Sequence, residues 1–156
     1  FYFQFENKEQ LLDEILRPVI TYFSAMIQKS TMEEFEGESS SADGDEQMLE
    51  MLWNYKEECQ ILLEGTAGTA YEKVFEELQE GLRQGFLLFF GKYGISDVDE
   101  KLLDVIVRMR VESYLTIIRK EYTLEETKKL ARQIGIYCDA GFEALVRQLK
   151  TEHSGN

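Results

Sequence analysis

Apolar residues recur every three to four positions along most of the chain, with polar residues between them. This 3.6-residue period predicts helices throughout. The first is expected from about Lys8 to about Met32, on the stripe Leu12, Ile15, Leu16, Val19, Phe23, Met26 and Ile27. Asn7 stands at its N-cap, with Gln10 three residues on in capping-box position. Pro18 falls inside this helix, and its ring removes one backbone bond. A kink is expected there, either as a plain fit to neighbouring helices or as a hinge. A second helix, from about Asp45 to about Glu64, carries Met48, Leu52, Tyr55, Cys59 and Leu62 on one face, with Met51 and Trp53 beside it. A third, from about Thr69 to about Lys92, carries Tyr71, Val74, Phe75, Leu78, Leu82, Phe86, Phe89 and Phe90, and Gly94 follows as its C-cap. Gly81 and Gly85 lie within it, which suggests a close helix contact or a bend.

The last two helices have a different pattern. The fourth starts at Ser96 or Asp97 and runs to about Glu121; the fifth starts at a Thr123–Glu126 capping box. Each carries two apolar rows. On the fourth these are Leu102, Ile106, Met109, Ser113 and Ile117, and Leu103, Val107, Val111, Tyr114 and Ile118. On the fifth they are Leu130, Ile134, Tyr137, Gly141 and Leu145, and Ala131, Gly135, Cys138, Phe142 and Leu149. A surface helix needs one apolar face, so two rows predict one face on the chain's own core and one on a partner. Ala131, Gly135, Gly141 and Ala144 are small enough to let backbones approach. The expectation is an all-α bundle of about five long helices.

Two segments interrupt the period. Residues 33–45 are acidic and rich in Gly and Ser, and read as a mobile loop. They lack the alternating ligands of a calcium loop, so no metal is expected there. The run Gly65-Thr66-Ala67-Gly68-Thr69 reads as a helix stop and a new cap, because no Lys-Ser/Thr follows and no strand precedes it. Residues 151–156 read as a frayed tail.

Charge narrows the function. Thirty acids against 17 bases give a net charge of −13 over 156 residues. Without a basic block, these residues by themselves make a poor binder of phosphate backbones. Cys59 and Cys138 form no metal or redox motif and read as reduced core thiols. There is no signal-peptide pattern and no apolar run long enough for a bilayer, which makes the cytoplasm the default and a membrane partner unexpected. The chain begins at Phe1 without an initiator Met, and is expected to be a fragment of a longer protein.

No catalytic constellation is visible. The one histidine, His153, lies in the tail, and the carboxylates fall mostly on polar faces. Neither an enzyme nor a cofactor nor a metal site is expected. What stands out is the aromatic and sulfur content: 10 Phe, 8 Tyr, one Trp and 5 Met. Such a bundle can enclose an apolar pocket with a few polar handles.

The opening stretch carries a resemblance. The spacing Tyr2, Phe5, Lys8 and Leu11 resembles the segment that ends the DNA-binding domain of TetR/AcrR-type transcriptional repressors. There the aromatics close a helix-turn-helix and the Lys opens the long helix into the ligand domain. The run from Leu62 to Glu72, through Gly-Thr into Tyr-Glu, is a second, weaker likeness. The resemblance implies that residues 1–7 end a DNA-reading head mostly absent from this chain. Residues 8–150 would then form a ligand-binding and dimerisation domain. It implies a homodimer whose last two helices pair with their copies as a four-helix bundle. It also implies a small effector, apolar or aromatic by composition, that changes the spacing of two DNA-reading heads on operator DNA.

On that reading the pocket residues are Tyr22, Met26, Trp53, Tyr55, Cys59, Tyr71, Phe75, Phe89, Met109 and Tyr114, large or polarisable groups on or beside the inward rows. The dimer residues are Val107, Val111, Tyr114, Ile118, Ile134, Cys138, Gly141, Phe142 and Leu145. Arg108, Arg110 and Glu112 lie mid-helix between apolar rows and are expected as plain surface charges; one that pointed inward instead would select an effector of opposite charge. The alternative is an acidic, dimeric, all-helical interaction module that never reads DNA.

Overall fold

The computed structural model describes residues 7–155. Among them run six α-helices: α1 (Lys8–Phe35), α2 (Ser41–Asn54), α3 (Lys56–Glu64), α4 (Val74–Lys92), α5 (Glu100–Ile118) and α6 (Leu124–Ser154). No strand occurs among the described residues. None of their helices is long and apolar enough to cross a membrane.

Several boundaries differ from the sequence expectation, each for a local reason. α1 extends to Phe35 and α2 begins at Ser41, so only residues 36–40 of the polar stretch lie outside helices. Ser40 accepts from the Asp43 amide while the Asp43 carboxylate accepts from the Ser40 amide, a capping box that starts α2 early. Gly37 sits at φ 79°, and the amides of Gly37 and Glu38 donate to the carbonyls of Glu34 and Glu33. That is a Schellman end for α1. The expected second helix is two helices, broken at Tyr55 (φ −116°, ψ 35°). α4 begins at Val74, because Thr69, Glu72 and Val74 donate back three residues in successive tight turns. A second Schellman motif follows α4, with Gly94 at φ 79° and the Ile95 amide donating to Phe90 at 3.0 Å. Buried Ile95 packs on buried Phe90, so the motif is fastened into the core. α5 then waits for Asp99, whose side chain accepts from the Lys101 amide. The tail is helical to Ser154, where Thr151 and Ser154 donate to the carbonyls four residues back. α1 runs through Pro18, which is exposed.

Four buried clusters hold the helices. Phe90, Leu103, Val107, Val111, Leu115 and Val146 join α4, α5 and α6, with the Phe90 and Phe142 rings 4.9 Å apart. Leu49, Ile117, Ile118 and Ala131 join α2, α5 and α6. Leu12, Leu16 and Leu62 fix α1 to α3, and Val19, Phe23 and Met51 fix α1 to α2. The α2–α6 join is the most extensive. Its tightness comes from Gly135, where an added Cβ would lie 2.6 Å from the Ala42 Cα. Gly81 and Gly85 show no such approach, since a Cβ at either would meet nothing within 4 Å.

Candidate functional site

The early start of α2 turns Asp45 inward. Counted from the Ser40 cap, Asp45 shares a face with Leu49 and Leu52 at i, i+4 and i+7, the face packed on α5 and α6. α5 answers with Arg110 and Tyr114, one helical turn apart. Arg110 Nη2 donates to both Asp45 oxygens, at 2.6 and 2.7 Å, and to the Tyr114 hydroxyl at 3.1 Å. The Tyr114 hydroxyl in turn donates to Asp45 Oδ1. Only 11% of the Arg110 side chain and 6% of the Asp45 side chain remain exposed. Arg110 Nη1 is buried as well and has no hydrogen-bond partner.

More acids surround this triad. Ser41 on α2 donates to Glu34 on α1. Glu34 and, on α6, Asp139 both feel the charges of Asp45 and Arg110. Burial raises the Glu34 carboxyl above its ordinary value, the Ser41 bond opposes this, and the Asp139 charge adds to it. Asp139 is likewise raised, by burial first, against the pull of Ser41. Burial by itself disfavours the Arg110 charge, but Tyr114 and Asp45 outweigh it, and the guanidinium stays ionised. Burial pushes the Tyr114 phenol well above its usual range, so at neutral pH it is a hydroxyl donor. Among the described residues no group of three His, Cys, Asp or Glu side chains is placed to hold a metal ion.

The ten residues expected to line one pocket occupy several places. Tyr22, Met26, Tyr55 and Cys59 gather where α1 meets α2 and α3, with the Tyr22 and Tyr55 rings 6.1 Å apart. Burial, with a smaller push from Glu58, raises the Cys59 thiol to about 12. Trp53 packs instead on the α2–α5–α6 cluster, and its Nε1 donates to the Tyr122 carbonyl at 3.1 Å. Tyr71 lies between α1 and α4, with its hydroxyl on Asp13. Phe75 joins the α4–α5–α6 core, Phe89 meets the Phe35 ring edge-on at 6.1 Å, and Met109 faces outward. Tyr114 belongs to the Asp45–Arg110 triad. Two concavities among the described residues are open hollows. One is lined by Asn7, Glu9, Gln10 and Asp13, the other by Trp53, Lys56, Glu57, Glu58, Glu121 and Tyr122 among others.

The residues expected at a dimer face also divide. Val107, Val111 and Ile118 are buried in their own chain's core, and Phe142 and Leu145 pack against it. Ile134 and Cys138 are half-buried, while Gly141 is exposed. Of the opening motif, Tyr2 and Phe5 lie outside the described residues; Lys8 is the first residue of α1 and Leu11 is half-buried on it.

Sequence reasoning missed Asp45, Glu34, Ser41 and Asp139 as a group. The missed signal was the Ser40-x-x-Asp43 pair, a cap that reassigns residues 41–45 from loop to helix and gives Asp45 the Leu49–Leu52 period.

No family model, no curated protein and no solved structure matches this chain.

Proposed function

We propose that this chain is the effector-binding and dimerising body of a ligand-responsive transcriptional regulator of the TetR/AcrR type, acting as a repressor. The observation that carries the reading is the junction at the start of α1. Asn7 caps the helix, and Lys8 of the Tyr2–Phe5–Lys8–Leu11 spacing is its first residue, as the resemblance implies. That first turn is tied to the α3–α4 connection. Glu9 accepts from the Ala70 amide at 2.7 Å, and the Lys8 ammonium reaches the Ala67 carbonyl at 3.5 Å. A DNA-reading head joined to α1 would therefore move with the body beneath it.

The effector, a small apolar or aromatic molecule, seats against α1 beside Tyr22, Met26, Tyr55 and Cys59. It favours one placement of α1 and so changes the separation of two heads. A coupling of about 1–3 kcal/mol would weaken operator binding roughly 5- to 150-fold. Small shifts suffice, because paired recognition helices must meet half-sites about one helical turn apart.

The homodimer forms through the outward faces of α5 and α6. Among the described residues, these carry the four most exposed large apolar side chains: Tyr137 at 72%, Met109 at 62%, and Val105 and Ile136 at 57% each. Large apolar groups concentrated on two helices favour a protein partner.

The test begins with the natural coding sequence upstream of Phe1, which should encode a basic helix-turn-helix. The full protein, mixed with a pool of random duplexes at low salt, should then select sites with two-fold symmetry. An upstream region without such helices, or a full protein that retains no duplex, would overturn the regulator and leave an acidic helical dimer that binds another protein.

A further inference from the structure

The break between α2 and α3 opens a hollow of about 540 Å³ against the α5–α6 loop, residues 119–123. Two long-range bonds hold its walls together. Trp53 Nε1 donates to the Tyr122 carbonyl at 3.1 Å, and Lys56 Nζ donates to the Lys120 carbonyl at 3.3 Å. Both acceptors are backbone oxygens, and the loop is fixed at its far end by the Thr123–Glu126 box. Trp53 also packs on the buried Leu49–Ile117–Ile118 cluster, so the indole is anchored on two sides. The hollow is thus built before any ligand arrives, and its volume lies in the range of small-molecule sites.

Its lining combines two kinds of group. Trp53 and Tyr122 supply aromatic surface, and Tyr122 is 37% exposed. Glu57, Glu58 and Glu121 supply three carboxylates against one ammonium, that of Lys56, which is turned onto a carbonyl. Other acids of the neighbouring helix are compensated: Asp45 holds Arg110, and Asp43 and Glu46 hold Arg132. Among the described residues no cation pairs with Glu57, Glu58 or Glu121. Nor are these three placed to hold a metal ion, which needs its oxygens to converge on one point. A diffuse organic cation needs only aromatic surface and negative charge close by. A quaternary ammonium suits the hollow best, because it has no N–H to satisfy, whereas a primary ammonium brings three donors.

We propose that this hollow binds a small, free quaternary ammonium cation of the choline type, seated against Trp53 and Tyr122 in the field of Glu57, Glu58 and Glu121. The site shares no residue with the effector position beside Tyr22 and Met26. It stands whether or not the chain serves a DNA-reading head.

Trp53 is the chain's single tryptophan, so its fluorescence reads this hollow alone. Choline chloride titrated into the whole chain, with sodium chloride holding the ionic strength constant, should change that fluorescence saturably. The neutral carbon isostere, 3,3-dimethylbutan-1-ol, should not, and neither should calcium chloride. Phosphatidylcholine vesicles should leave the signal unchanged, because their phosphate would meet the same carboxylates. Tyr122→Leu keeps the backbone carbonyl that holds Trp53, and should weaken choline roughly 2- to 30-fold through the lost cation–π contact. Glu57→Gln combined with Glu121→Gln should weaken it as well. No saturable change with choline, an equal change with the alcohol or with calcium, or a response to vesicles alone would overturn the site. So would unaltered affinity in a Tyr122→Leu chain of unchanged helical content. Should that variant fail to fold, choline against its neutral isostere on the unmodified chain decides.

Discussion

Asp45 and Arg110, 65 positions apart in sequence, meet through two bonds of 2.6 and 2.7 Å from a single guanidinium nitrogen. Neither partner is in water, and each carries the charge that makes the other's burial tolerable. Removing one leaves the other uncompensated, which costs roughly 3–5 kcal/mol in buried pairs, whereas an apolar replacement of both is often close to neutral. Urea denaturation of Arg110→Ala should therefore show a loss of about 3–5 kcal/mol. The double variant Asp45→Leu with Arg110→Met should lose far less than the two single changes added together. Additive losses would mean that the pair is not coupled.

The glycines of α6 should separate by sign. At Gly135 a Cβ would lie 2.6 Å from the Ala42 Cα and 2.9 Å from an Asp45 oxygen, one a backbone atom and the other fixed by Arg110. Gly135→Ala must push α2 away, and overpacking of that kind costs about 1–3 kcal/mol. Gly141, in the same helix, has nothing within 4 Å of its Cβ position. Gly141→Ala should stabilise by about 0.5–1 kcal/mol through helix propensity alone. Thermal melts of the two variants should shift in opposite directions.

Acid should undo the α2 cap in a defined order. Bonds from Arg132 and then Ser40 hold the Asp43 carboxyl down at about 2. A depressed carboxyl stabilises above its unfolded value of 3.8, and that contribution disappears as pH falls through about 2. Arg132→Gln should move the Asp43 midpoint up towards 3.8, read by NMR, and start the loss of the cap at higher pH. This slope opposes the one expected from Glu34 and Asp139, so only residue-resolved titrations will separate the two.

The inward and outward faces of α5 and α6 can be told apart by charge insertion. Met109→Glu or Tyr137→Glu alters an exposed position and should leave the helical content intact while dissociating the proposed dimer in sedimentation experiments. Val107→Glu buries a charge in the α4–α5–α6 core and should unfold the chain. If Met109→Glu and Tyr137→Glu leave the sedimentation unchanged, the outward face is not the dimer surface.

What the sequence determined by itself was local. The 3.6-residue period made the chain all-helical, because amphipathic spacing is written in neighbouring residues, but it gave about five helices where the fold has six. Gly94 and the Thr123–Glu126 box marked ends that the fold keeps, because caps need only a few adjacent groups. Tertiary structure decided which apolar rows face inward. Val107 and Val111 sit against Phe90 and Val146, while Met109 on the neighbouring row faces outward, and nothing in α5 alone ranks those rows. It also decided that Arg110 points inward, since a buried arginine is tolerable only where a distant acid meets it. That acid, Asp45, became available only once Ser40 had begun α2 and Gly135 had let α2 lie close on α6. Periodicity is a property of one helix; charge compensation and close approach are properties of pairs of helices, and these form only when the chain has folded.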